Sequence, residues 1–192
     1  MIPFPDKKYK IIYADPAWTY GNWYQSEDVK RNAADHYSCT KTEDMKELPV
    51  KNISDDDSVL IMWVTFPCLK EGMELLEAWG FEYKTVAFTW VKKNKEGAGW
   101  FMGLGNYTWA NAEIALLGTR GYGLPRLSHN VRQILDNKIG EHSQKPAEAR
   151  NRIVELFGDL PRIELFSRDK IEGWDCWGNE VPTDEQRLLV RE

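Results

Sequence analysis

The sequence predicts an α/β fold around an open parallel sheet, and three observations carry that expectation. Apolar, β-prone runs of strand length recur at residues 10–18, 58–64, 83–91, 112–117 and 162–167. Two segments between them, ending at Gly80 and Gly158, place apolar residues at helical spacing. The alternation of strand, helix and strand across residues 58–91 then argues for a right-handed crossover between parallel strands.

The first run, Lys10-Ile11-Ile12-Tyr13-Ala14-Asp15-Pro16-Ala17-Trp18, stops at an acid, a proline and a tryptophan. Ile11 and Ile12 suit a strand covered on both faces, and Pro16 lacks the N–H that a further rung needs, so the chain is expected to leave the sheet there. Asp15 then stands at the carboxyl end of a strand, the edge at which open α/β sheets bind ligands. An Asx-type turn, with Asp15 capping its own backbone, fits the same four residues.

Residues 19–57 show no sustained period, and a loop of that length inside a compact domain is usually functional. Tyr20, Trp23, Tyr24 and Tyr37 are interleaved there with Lys30 and Arg31, the mixture that stacks on bases and holds phosphates. A short helix is expected over 42–48. After the strand at 58–64, Leu69, Met73 and Leu76 define one helix, and residues 83–91 form the next strand. Residues 92–108 read as a loop, because Gly103-Leu104-Gly105 precedes no helix and so fails the dinucleotide fingerprint. A strand at 112–117 and an irregular stretch at 118–141 follow. Pro146 suits the first position of a helix whose stripe is Ala149, Ile153, Leu156 and Phe157. Residues 162–167, and then 174–177, close the list of strands, and the tail beyond Val181 is expected to fray.

A chain of 192 residues is most simply one domain, spanning residues 1–192, and is long enough to bury a core unaided. Its longest apolar run, from Val59 to Val64, is too short for a bilayer, and the N-terminus lacks a signal-peptide layout, which together point to the cytoplasm. Three widely spaced cysteines and three scattered histidines support neither a disulfide framework nor a metal site. A net charge of −5 argues against indiscriminate nucleic-acid binding but leaves room for a local basic face. Lys7, Lys8 and Lys10, then Lys92, Lys93 and Lys95, then Arg120, Arg126 and Arg132 are the candidates, with solvated loop charges an equal reading of each. Among nine tryptophans, Trp23, Trp100 and Trp109 lie in polar surroundings, where an indole serves better as a stacking surface than as core.

Asp15-Pro16-Ala17-Trp18 resembles the Asp-Pro-Pro-Trp motif of the S-adenosylmethionine-dependent adenine N6 methyltransferases. The wider chain looks like their MT-A-seventy-like branch, which includes the messenger-RNA adenosine methyltransferase catalytic subunit and small bacterial and phage DNA methylases. His36-Tyr37, Trp63-Val64-Thr65, Trp90-Val91-Lys92, Arg120-Gly121, Gln144-Lys145-Pro146, Phe166 with Arg168, and Trp177-Gly178-Asn179-Glu180 follow in family order. Ala17 departs from the pattern, standing where the family usually has its second proline.

The resemblance implies a Rossmann-like class I methyltransferase sheet with helices on both faces, circularly permuted so that the catalytic motif precedes the cofactor motif. It implies S-adenosylmethionine as cofactor and a nucleic acid, DNA before RNA, as partner. Asp15 with the carbonyls of Pro16 and Ala17 would accept hydrogen bonds from the adenine amine, localising its lone pair. Only a carbonyl is needed at residue 17, which alanine supplies. Trp18 would stack on the base or, on a second reading, simply fill the core. Tyr20 and Tyr37 would close over a flipped-out base, while Lys92, Arg120 and Arg126 would hold phosphates. For the cofactor, Ser143 and Lys145 at a helix start would take its carboxylate, Ser143 being equally an ordinary N-cap. Phe166 and Arg168 would lie beneath it, with Asn179 and Glu180 on the ribose hydroxyls. The rival readings are a non-catalytic pseudo-methyltransferase, an RNA enzyme, and a cytosine amine methylase, whose motif usually begins with serine.

Overall fold

The computed structural model describes residues 3–18, 42–105, 107–140 and 144–181. Asp15 follows β1 (Tyr9–Ala14), an interior strand in which every residue but Lys10 is buried. Ile11 and Tyr13 face one apolar cluster while Ile12 and Ala14 face another, the two-sided burial that a continuous apolar run predicts. The strand ends one residue before Asp15, as Pro16 requires.

Around β1 the chain lays down α1 (Thr42–Lys46), α2 (Val50–Ile53), β2 (Ser54–Val64), α3 (Leu69–Ala78) and β3 (Glu82–Val91). It continues with β4 (Ala112–Arg120), β5 (Ile134–Leu135), α4 (Ala147–Phe157), β6 (Arg162–Leu165) and β7 (Asp175–Trp177). The seven strands form one sheet in the order β5-β3-β4-β2-β1-β6-β7. Met45, Ile53 and Leu76 bring α1, α2 and α3 onto the face of Ile12 and Leu60, while Ile153 brings α4 onto the face of Tyr13 and Ile61. Helices thus cover both faces. Contact with α3 is close: a Cβ on Gly72 would lie 2.3 Å from Val64 Cγ2, so this turn of helix accepts only glycine without displacing β2. No helix among the described residues is long and apolar enough to cross a membrane.

One strand corrects the expectation of a parallel sheet. β4 runs antiparallel to both β2 and β3 and lies between them. β2 and β3 are therefore parallel, and the crossover through α3 leaves room for a strand between them. The cause is the connection at 92–111, which contains no helix: a chain that turns back without a crossover returns antiparallel. Smaller differences have local causes. β2 begins at Ser54 because Ser54 pairs with Tyr9 ahead of an irregularity in the register, and β6 stops at Leu165 because Phe166 has φ 61. Pro146 caps α4 from just outside it.

The other six strands point the same way, so their carboxyl ends share one edge. Asp15, Thr65, Lys92, Phe166 and Gly178 each follow a strand there. Because β4 is reversed, Glu113 near its beginning joins them.

Candidate active site

At that edge four charged side chains form a continuous line. Lys145 Nζ lies 2.8 and 3.0 Å from the two oxygens of Asp15 and 3.2 Å from Glu113 Oε2. The other oxygen of Glu113 accepts from Lys92 at 2.5 Å. Each residue has its own element behind it: Asp15 the end of β1, Glu113 the start of β4, Lys92 the end of β3, and Lys145 the approach to α4. Pairing of Trp90 with Glu113 and of Trp63 with Ala115 sets the depth of Glu113 beside the strand ends.

Aromatic rings floor the line. Lys145 Nζ is 5.8 Å from the Trp63 ring centre and Lys92 Nζ 5.0 Å from that of Trp90, and the two indoles meet edge to face at 6.4 Å. Cations over such faces are held by the ring quadrupole as well as by the carboxylates. Trp63 is fixed in turn, its indole donating to the Tyr13 hydroxyl at 2.5 Å.

Burial sets the protonation of the group. It raises the Asp15 carboxyl above the usual aspartate range, against the opposing pull of Lys145 and, more weakly, of Arg168. Burial also opposes the charges of Glu113 and Lys145, but their partners win: Lys145 and Lys92 hold Glu113 below the ordinary glutamate range, and Asp15 with Glu113 hold Lys145 above the ordinary lysine range. Lys145 keeps only 9% of its side-chain surface exposed, whereas Asp15 keeps 26%. Asp15 is thus the member of the line still open to a ligand.

The ends of β6 and β7 form the neighbouring half of the edge. Phe166, at φ 61, stacks on Trp79 with centroids 6.3 Å apart and meets Trp177 edge-on. Positive φ at a non-glycine residue is uncommon and clusters at functional sites. A Cβ on Gly178 would lie 2.1 Å from the Ser167 carbonyl oxygen, so only glycine lets the two strand ends close. Beyond it Asn179 is exposed, and Glu180 Oε2 lies 3.9 Å from Arg168 Nε.

The expected residues divide accordingly. Asp15, Pro16, Ala17, Lys92, Lys145, Phe166, Arg168, Asn179 and Glu180 share the carboxyl edge. Lys92 is committed to Glu113 rather than presented as an open phosphate contact. Trp18 is buried, its indole donating to the Trp63 carbonyl at 2.9 Å, which favours the core-filling reading. Tyr20, Tyr37 and Ser143 lie outside the described residues.

Arg120 and Arg126 are elsewhere. Arg120 ends β4 opposite Ser58 and donates to the Lys51 carbonyl, about 20 Å of strand from Val64. Arg126 precedes Leu127, whose N–H bonds the Leu156 carbonyl near the end of α4. Both belong to the opposite edge, because reversal of β4 carries the loop after it away from Asp15. Glu113 escaped the sequence reading, although an acid inside the apolar run Ala-Glu-Ile-Ala-Leu-Leu was a visible signal.

The MT-A70 family model matches residues 9–180. Type II methyltransferase M.MunI from Mycoplasma sp is 39% identical over 196 residues, 94% of this chain and 81% of that protein. Human N(6)-adenine-specific methyltransferase METTL4 is 29% identical over 192 residues, 91% of this chain but 38% of the relative. The human N(6)-adenosine-methyltransferase catalytic subunit METTL3 is 26% identical over 178 residues, 91% of this chain and 28% of its own length. With a match running from the first residue of β1 to Glu180, where the chain leaves β7, the chain belongs to the MT-A70 family.

Proposed function

We propose that the chain is an adenine N6 methyltransferase that acts on DNA with S-adenosylmethionine, through a single domain over residues 1–192. The carrying observation is Asp15: a half-buried carboxylate at the end of the interior strand β1, clamped by a largely buried lysine yet open on one side. The mycoplasma relative, most of whose length this chain spans, favours DNA over RNA. Such a protein works in the cytoplasm of a cell whose DNA lies there.

Adenine's exocyclic amine is a weak nucleophile because its lone pair is delocalised into the ring. Asp15 and the carbonyls of Pro16 and Ala17 accept its N–H groups, turning the lone pair out of the ring plane and toward the incoming carbon. The nitrogen becomes positive as the N–C bond forms, and the Asp15 carboxylate opposite offsets that charge. One amine proton must then leave, and a carboxylate whose pKa burial has raised is a better acceptor for it than an ordinary aspartate. Lys145 fixes the rotation of the carboxylate, Glu113 and Lys92 fix Lys145, and the Trp63–Trp90 floor keeps water from the buried side.

The residues at the ends of β6 and β7 fit the methyl donor by their chemistry. Asn179 and Glu180 offer exposed acceptors for ribose hydroxyls, and the Gly178–Ser167 closure leaves backbone rather than side chain at the strand ends. When bound, S-adenosylmethionine would supply an electrophilic methyl group on its sulfonium sulfur, the electron pair of the broken C–S bond staying with sulfur as a neutral thioether. Lys145 already serves two carboxylates, so a donor carboxylate there would compete with Asp15 and Glu113.

The test is to incubate the protein with S-adenosylmethionine and DNA or RNA, digest the product to nucleosides and identify the modified base. N6-methyladenine from DNA is expected. Methylated cytosine, exclusive modification of RNA, or no methyl transfer by well-folded protein would each overturn the reading.

A further inference from the structure

The connection between β3 and β4 is a built projection rather than a slack loop. Lys92 N–H bonds the Asn111 carbonyl at 2.8 Å, Phe101 N–H returns to the Lys92 carbonyl at 2.8 Å, and Ala110 N–H bonds the Gly103 carbonyl at 2.9 Å. A Cβ on Gly103 or Gly105 would lie 2.2 Å from the carbonyl oxygens of Ala110 and Thr108, so these glycines allow the two limbs to close. The base of the projection is tied to the active site, because Lys92 bonds Glu113 and Glu113 shares Lys145 with Asp15.

Its surface is unusual for a water-exposed segment. Trp100 is 53% exposed, Trp109 61% and Leu104 81%. Lysines lie beside Trp100 and the turn before it. Lys93 lies 5.8 Å from the Trp100 ring, Lys95 is exposed in the adjoining turn, and Lys138 runs against that turn, its Cε 2.6 Å from where a Gly97 Cβ would be. Glu96 and Asp136 are the nearby acids, and Asp136 pairs with Lys93.

We propose that this projection, residues 93–105 and 107–110 with Lys138, is the surface that grips the nucleic-acid strand beside the target adenine, Trp100 and Trp109 stacking on bases and Lys95 and Lys138 contacting phosphates. The proposal rests on the methyltransferase reading for its substrate class. Exposed rings interleaved with cations match a single or locally opened strand, since every base offers a π-face and every linkage a charge. The location also suits the reaction: a base can be reached only once it leaves its stack, and aromatic rings beside the carboxylate can occupy the stacking its neighbours lose.

The experiment measures binding of a fluorescent adenine-containing DNA oligonucleotide by anisotropy across a salt series, with the full chain and two variants. Trp100→Ala/Trp109→Ala should weaken binding by about tenfold or more at every salt concentration, as loss of base stacking does. Lys95→Ala/Lys138→Ala should reduce the slope of log affinity against log salt by about 1.4 on a single-stranded oligonucleotide, two contacts at about 0.7 each. All four side chains are exposed, and circular dichroism confirms folding before binding is measured. Unchanged affinity and slope in both variants would overturn the proposal. So would unchanged DNA binding accompanied by altered sedimentation, which would assign the projection to a second copy or a partner. Methyl transfer by wild type separates the two readings: transfer with an indifferent projection removes only this inference, whereas projection-dependent binding without transfer removes only the enzymatic reading.

Discussion

Two largely buried cations reach the sheet from the α4 region, five residues apart, and they are used differently. Arg150 Nε and Nη2 grip the two oxygens of Glu164 at 2.5 and 2.7 Å, with 13% and 6% of the side chains exposed. That pair is closed: a planar fork meets one carboxylate, and no oxygen is left over. Lys145 instead divides itself between Asp15 and Glu113, and Asp15 remains open to solvent. A matched pair locks α4 to β6, whereas a shared lysine leaves a carboxylate with capacity to spare. Chemistry is found where the pairing is incomplete.

The largest effect should come from the open side. Asp15→Asn keeps the shape but removes the charge, and should lower kcat by about 10²- to 10³-fold or more, the cost of losing one preorganised electrostatic contact. The fold should persist, because Lys145 keeps Glu113. Turnover within tenfold of wild type in a steady-state methylation assay would remove Asp15 from the mechanism.

The closed pair should show the converse. Arg150→Met strands Glu164 in the core and should cost about 3–5 kcal/mol of stability, read from urea denaturation. Methyl transfer per folded molecule should change little. A variant that unfolds normally but fails to turn over would erase the distinction between the two pairs.

Acid separates the same functions in one protein. Burial raises Asp15, so the folded state holds that proton more tightly than the unfolded chain, and its ionisation at neutral pH costs stability that acid returns. Glu113 is lowered, because Lys145 and Lys92 outweigh its burial; it contributes stability above the ordinary glutamate range that is lost only as pH falls through its depressed folded value. Activity should therefore disappear on acidification while the fold survives, with an acid limb above the ordinary aspartate value of about 3.9. Coincidence of the pH–rate profile with loss of tryptophan fluorescence would contradict this.

Much of this arrangement was legible in the chain. Ile11-Ile12 specified a two-sided strand and Pro16 its end, because both act through local geometry. Gly80 and Gly158 ended their helices at positive φ, again a local matter. What could not be read was set by long-range pairing. Nothing within residues 112–120 states that the strand runs backward, yet that reversal brings Glu113 to the active edge and sends Arg120 to the other. Lys145 likewise offered its charge in sequence but not its partners, 130 residues away in the case of Asp15.

The smallest effect sharpens the comparison most. Lys92 touches Glu113 and not Asp15, so Lys92→Met removes the outermost link of the line while Glu113 keeps Lys145. A loss of less than about tenfold in kcat is expected, at most about 1.4 kcal/mol on the barrier. A merely structural lysine would leave the pH profile where it was. If the line is coupled, Glu113 without Lys92 draws more strongly on Lys145, and Asp15, with less positive charge beside it, becomes harder to ionise. The acid limb of kcat should then move upward in pH, although the substitution lies three contacts from the carboxylate that titrates. An unmoved limb with reduced stability would show that Lys92 and Glu113 form a second closed pair like Arg150 and Glu164, leaving Asp15 and Lys145 as the whole of the active ion pair.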